Sequence, residues 1–299
     1  MNTLDSGKRI AWSFRTPQGL TLRGQRTAQG GDRPVLMFIH GNGFCGGVYW
    51  PLMARCLDQV DWLWVDVPGH GDSDAGEHFL GWNENAEMAY LALRSQLPHY
   101  DGRPCYLVGH SFGGVMSLLI AARHPEFVPA AVILDPVLFT PAMLASMRIL
   151  SPVGLWQRNA MAQRARKRRA HWPDRRAAWT YFHGRGMFGS WSDEALSAYI
   201  DDALAHTHGG LTLKCPPQRE AEIFGSYPRQ LWASVRRLSV NMHIVYGRES
   251  YPFVPKSARK AARAGQQITA EAVGGSHFFM LEHPDDTAQV VKRWLGSLR

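Results

Sequence analysis

Short, wholly apolar runs alternate along this chain with longer stretches whose apolar positions recur at helical spacing. The clearest short run is Val35-Leu36-Met37-Phe38-Ile39, which follows Pro34 and ends at His40-Gly41. It is too short for a stable helix and has no polar face, so it predicts a strand buried on both sides of a parallel sheet. Trp62 to Val67, Cys105 to Val108, Ala131 to Leu134, Asn241 to Tyr246 and Ile268 to Val273 read as further strands. Between them, Tyr49 to Gln59, Asn83 to Leu97, Val115 to Ala122 and Pro255 to Ala264 read as helices, and Asp285 to Leu298 as a closing one. Ahead of them, Ile10 to Phe14 and Leu20 to Arg26 form a hairpin pattern around Thr16-Pro17-Gln18-Gly19. Alternating strands and helices predict an α/β fold with a mostly parallel sheet. The alternation breaks from about residue 139 to 238, where helix-like runs and many aromatics replace it.

The candidate chemistry lies where predicted strands end. Leu107-Val108-Gly109-His110-Ser111-Phe112-Gly113-Gly114 joins an apolar run to a helix-like one, with Ser111 at the corner. Such a corner strains the serine backbone and lifts its hydroxyl clear of the sheet. It also leaves the Phe112 N–H, at the new helix's start, free to bind an anion. The strand at Val35–Ile39 runs into His40-Gly41-Asn42-Gly43-Phe44-Cys45-Gly46-Gly47, whose glycines allow close backbone approach. One reading is an oxyanion hole, with the Asn42 N–H first and Gly43 next as partner to Phe112; the other is a flexible loop. Asp66-Val67-Pro68-Gly69-His70-Gly71-Asp72-Ser73-Asp74 suggests a shaped turn braced by Asp66 and His70 rather than a metal site.

Together, H-G-N-G after one strand, D-V-P-G-H-G-D-S-D after the next and G-H-S-F-G-G after a third resemble the α/β-hydrolase superfamily over nearly the whole chain. The resemblance implies a sheet of about eight strands with helices on both faces. It implies a core over residues 1–138 and 239–299, with a helical cap inserted at 139–238. It further implies a serine nucleophile at Ser111, oxyanion N–H groups at Asn42 and Phe112, and a catalytic histidine at His277, just past the last strand. The usual position for the third member is an aspartate in the turn after the seventh strand. Here that turn is Gly247-Arg248-Glu249-Ser250-Tyr251, and Glu249 is its only acid. A minority of the family places the acid after the sixth strand, where Asp135 stands; Asp135 leads and Glu249 is the runner-up. His110 reads as structural. Trp156, Trp172, Trp179, Phe182, Phe188 and Trp191 read as pocket lining or as cap packing.

Composition narrows this picture. No apolar run is long enough to span a membrane, and the opening residues show no secretory leader. The four scattered cysteines, without a C-x-x-C, suit a reduced, cytoplasmic setting and no metal site. The net charge of +8 is local: residues 148–185 carry ten Lys/Arg against Asp174 alone. Such a stretch is usually a solvated helix face. Its alternatives are an anionic membrane surface, nucleic acid, for which no motif is present, or anionic or acyl-carrier-bound substrates. The expectation is a cofactor-free serine hydrolase acting on a small-molecule ester or lactone. Cleavage of a diketone carbon–carbon bond, a thioester or an amide, acyl transfer, and a non-catalytic ligand-binding role remain as alternatives.

Overall fold

The computed structural model describes residues 9–28 and 31–298; the amino-terminal residues 1–8, part of the stretch read for a leader, lie outside them. The chain begins with strands β1 (Arg9–Arg15), β2 (Thr21–Thr27) and β3 (Val35–Ile39), then helix α1 (Trp50–Ala54), β4 (Asp61–Asp66), α2 (Trp82–Gln96) and β5 (Cys105–His110). Next come α3 (Phe112–Arg123), β6 (Ala130–Leu134), α4 (Pro141–Leu150), α5 (Ala160–Arg166), β7 (His171–Trp172), α6 (Arg175–Phe182) and α7 (Asp193–Asp202). The remainder is β8 (Leu204–Thr207), β9 (Gly210–Leu213), α8 (Pro217–Phe224), α9 (Leu231–Arg237), β10 (Asn241–Gly247), α10 (Phe253–Ala264), β11 (Ile268–Val273), α11 (Phe279–Glu282) and α12 (Pro284–Gly296).

Eight strands form one sheet in the order β1-β2-β4-β3-β5-β6-β10-β11. β2 alone runs against the others: it pairs antiparallel with β1 and β4, and every other pairing is parallel. This is the α/β-hydrolase architecture. Alternate residues of β3 explain why that strand is apolar throughout. Val35, Met37 and Ile39 enter one core cluster, with α2, α3 and α9, while Leu36 and Phe38 enter the other. That second cluster runs on without interruption into Trp172, Phe182, Phe188, Trp191 and Tyr199, so one face of the sheet and the inserted segment share a core.

The inserted segment is not purely helical. β7, β9 and β8 make a small antiparallel sheet within it. Its period-two signal is short and sits among polar residues such as His206, Thr207 and His208, which is why the pattern reads as loop and helix. Four of its short helices start on side-chain caps: Thr140, Asn159, Asp174 and Ser192 each accept a bond from the first turn. The last helix of the segment, α9, has its apolar face in the core cluster of α3. The helix expected over residues 49–59 is also shorter than the apolar spacing suggests. After Ala54 the chain closes three-residue turns, such as Cys56 N–H to the Met53 carbonyl. The Arg55 guanidinium has taken the Pro51 carbonyl at 2.8 Å, the acceptor a continuing helix would give to the Arg55 N–H.

Candidate active site

Five neighbouring parallel strands, β3, β5, β6, β10 and β11, end at the same edge of the sheet, and each hands its loop to one site. β5 stops at His110 and α3 starts at Phe112, so Ser111 must turn the chain within one residue. It does so at φ 54° and ψ −113°, a conformation side chains avoid. The turn is this tight because a Cβ at Gly113 would sit 2.0 Å from the Ile39 carbonyl oxygen. A Cβ at Gly109 would sit 2.4 Å from the Gly113 carbonyl. The Ser111 N–H donates to the Leu134 carbonyl at 3.0 Å, which pins the corner to the neighbouring strand.

The Ser111 hydroxyl lies 2.9 Å from His277 Nε2, and His277 Nδ1 lies 2.5 Å from Asp135 Oδ2. The hydroxyl can donate to Nε2 while Nδ1–H donates to the carboxylate, the tautomer that leaves Nε2 able to accept a proton. Asp135 is fully buried, at φ 43°, just past the end of β6. Its Oδ1 accepts the Gly247 N–H at 2.7 Å, and its Oδ2 accepts the Ser250 hydroxyl. A buried carboxylate with three donors is compensated for its lost hydration. Glu249 is exposed; its backbone N–H donates to the Gly275 carbonyl at 3.0 Å, and no bond joins its carboxylate to His277. The turn after β10 thus reaches the imidazole's partner through Ser250, not through its own acid.

The loop after β3 sorts its N–H groups. Gly43 N–H is occupied, donating to His70 Nε2 at 3.1 Å. Gly41 N–H donates to the Tyr49 hydroxyl at 3.1 Å. Among the described residues the Asn42 N–H donates to no protein group, and neither does the Phe112 N–H at the start of α3. The Asn42 side chain is turned to the inserted segment, donating to the Glu220 carbonyl at 3.1 Å. His70 accepts from Gly43, and His40 Nε2 accepts the Val67 N–H at 3.1 Å, so both rings serve as neutral braces. Burial pushes the His40 pKa down to about 4 and holds His70 well below its ordinary value, with the neighbouring His40 adding to the shift. Asp66 braces the same region by accepting the Gly46 N–H at 2.8 Å. Among the described residues no three His, Cys, Asp or Glu side chains are grouped to hold a metal ion.

Three further side chains, His110, Tyr49 and Glu282, support His277. His110 Nε2 donates to the His277 carbonyl at 3.0 Å, and its Nδ1 accepts from the Tyr49 hydroxyl at 2.7 Å. Burial and then the His277 charge hold His110 well below its ordinary pKa. Tyr49 therefore links the Gly41 loop to the backbone of His277. On the other side Glu282 accepts the Ser276 N–H at 2.9 Å, and the hydroxyls of Ser276 and Ser190 at 2.5 Å each. No local pattern marks Tyr49 or Ser250.

Rings close over the site. Tyr251 lies 4.8 Å from the His277 ring, Trp82 4.6 Å from Phe112, and Trp191 and Phe44 lie 5.6 Å and 5.9 Å from Phe278. Of the six aromatics noted in the inserted segment, Trp172, Phe182 and Phe188 are buried in the core it shares with the sheet; Trp191 is the one that reaches the loop of His277. Behind Asn42 sits a buried ion pair: Arg168 meets Glu220 at 2.8 Å, and the Glu220 carboxylate packs over Gly43. Such a site can hold a neutral, partly apolar group against an activated hydroxyl and two free N–H donors.

The alpha/beta hydrolase family profile matches residues 36–290. The 2-(acetamidomethylene)succinate hydrolase of Mesorhizobium japonicum is 24% identical over 268 residues, 89% of this chain and 90% of that one. A crystal structure of E-2-(acetamidomethylene)succinate hydrolase superposes with a TM-score of 0.77 at 22% identity, covering 96% of this chain and 99% of that one. Lipase LipV of Mycobacterium tuberculosis is 33% identical over 142 residues, 44% of this chain and 52% of that one.

Proposed function

The chain belongs to the alpha/beta hydrolase family, and from that premise we propose that it is a serine hydrolase cleaving a carboxylic ester or lactone through an acyl-enzyme on Ser111. The observation that carries the reading is the unbroken line from the Ser111 hydroxyl through His277 to Asp135, at 2.9 Å and 2.5 Å. Ser111 Oγ attacks the carbonyl carbon as His277 Nε2 takes its proton. Asp135 fixes the imidazole's tautomer and stabilises its positive charge. The carbonyl oxygen, now negative, is held by the N–H groups of Asn42 and Phe112, the latter with the α3 dipole behind it. Collapse expels the alcohol, which takes the proton from His277. Water then repeats the sequence and frees the acid. No step requires a cofactor.

A neutral ester is favoured over a dicarboxylate such as the one in the relative's name. The buried cations nearest the site are already neutralised: Arg168 pairs with Glu220 at 2.8 Å and Arg219 with Glu222 at 3.2 Å. A second carboxylate would have to displace one of these acids. Turnover of a panel of uncharged short-chain esters and lactones, with and without Ser111→Ala, tests the reading. The account expects turnover that drops by at least ~10⁴-fold in the variant. An intact Ser111→Ala enzyme, or hydrolysis of amides alone, would overturn it.

A further inference from the structure

Most exposed large apolar side chains of the described chain fall in one short stretch. Ile149, Val153, Leu155 and Met161 are 73%, 68%, 54% and 37% exposed, and the only others are Ile10, Leu80 and Tyr251. They occupy the end of α4, the turn after it and the start of α5. The turn is built, not loose: Leu155 N–H donates to the Leu150 carbonyl and Arg158 N–H to the Leu155 carbonyl, each at 3.1 Å. Asn159 caps α5 and also ties the turn to the Phe224 carbonyl at 2.8 Å. Inside, Leu144 and Met147 are buried in the core while Ile149 points out, so α4 is apolar on both sides. Exposed cations surround the tip: Arg148, Arg158, Arg164, Arg166 and Lys167. From Pro136 to Pro173 the chain holds no acid.

We infer that this tip docks on an anionic lipid bilayer, with Ile149, Val153 and Leu155 entering the acyl boundary and the arginines resting among the headgroups. Apolar side chains at the apex with cations around them match the two layers of such a surface. A second copy seated on the same patch would bring two uncompensated cationic clusters together. Nucleic acid would neutralise the cations and leave Ile149, Val153 and Leu155 in water. The inner side of the tip leads toward the site: Phe139, Met143 and Trp156 pack on the cluster that contains Phe112. Docking would therefore set the proposed hydrolase beside a reservoir of apolar esters, although the surface itself does not depend on the chemistry at Ser111.

Binding is read without turnover, by sedimenting the full chain with phosphatidylcholine vesicles that contain or lack phosphatidylglycerol. The expected result is binding only to the anionic vesicles, weakened by salt. Val153→Asp with Leu155→Asp should lower the partition constant at least about tenfold at an unchanged thermal midpoint. Arg158→Ala with Arg164→Ala should cost about fivefold for each cation removed. Lack of binding to anionic vesicles, or binding untouched by the aspartate pair, overturns the proposal. So does a dimer on gel filtration that the aspartate pair dissociates, or duplex DNA binding that survives the aspartate pair and is lost with the alanine pair.

Discussion

Asp135 and Glu249 are the most informative residues to compare, because the chain's one departure from the familiar pattern lies between them. The order of strands separates them: β6 and β10 are neighbours, so the ends of both reach the imidazole, but only the Asp135 carboxylate bonds to it. Asp135→Asn should lower kcat on an ester by about 10⁴-fold through the wrong imidazole tautomer, while Glu249→Gln should stay within about twofold. Steady-state kinetics of the two purified variants decide the matter; equal losses would contradict the assignment. Ser250→Ala removes one charge-assisted donor to Asp135 and should cost about tenfold in kcat with KM little changed. The Ser111 corner was legible because its glycines and flanking runs are adjacent in sequence. Ser250 and Tyr49 were not, since their partners lie 115 and 61 residues away. Nothing local distinguishes a hydroxyl that supports an active site from one that faces water.

At the scale of elements, the strand-to-helix corner leaves no room for a side chain at Gly113. Gly113→Ala would drive a methyl into the Ile39 carbonyl, a backbone atom that cannot move without disturbing β3. The expected loss is more than about 3 kcal/mol, read as a fall in the urea midpoint, with activity lost alongside it. A variant as stable as the parent would show that the corner can relax. The buried parallel strands were readable because their two-sided burial forces unbroken apolar runs, as in β3. The small β7-β9-β8 sheet was hidden by its brevity and by the polar residues of its solvent side. Helix ends were less legible: α1 stops at Ala54, where the Arg55 guanidinium bonds the Pro51 carbonyl, a contact that apolar spacing does not encode.

For the molecule as a whole, buried neutral histidines dominate the response to acid. Unfolded, each histidine takes up a proton near pH 6.5, whereas folded His40 resists it until about pH 4. The stability it contributes is present above pH 6.5 and is lost as pH falls toward 4, an effect of about 3 kcal/mol. His70 and His110 shift in the same direction. Asp66, raised to about 7 by burial, acts the opposite way, favouring the fold at low pH and losing that contribution as pH rises through 7. Burial also raises Asp202, which acts as Asp66 does. Three histidines against two carboxyls predict a urea midpoint that falls between pH 6.5 and 4, and a flat or rising midpoint would contradict this. The central claim is more specific: one hydroxyl, activated by His277, attacks the substrate. Peptide mass spectrometry after treatment with a fluorophosphonate tests it most directly. The account predicts a single adduct on the peptide containing Ser111, abolished by His277→Ala; an unlabelled Ser111, or label that persists there without His277, would contradict it.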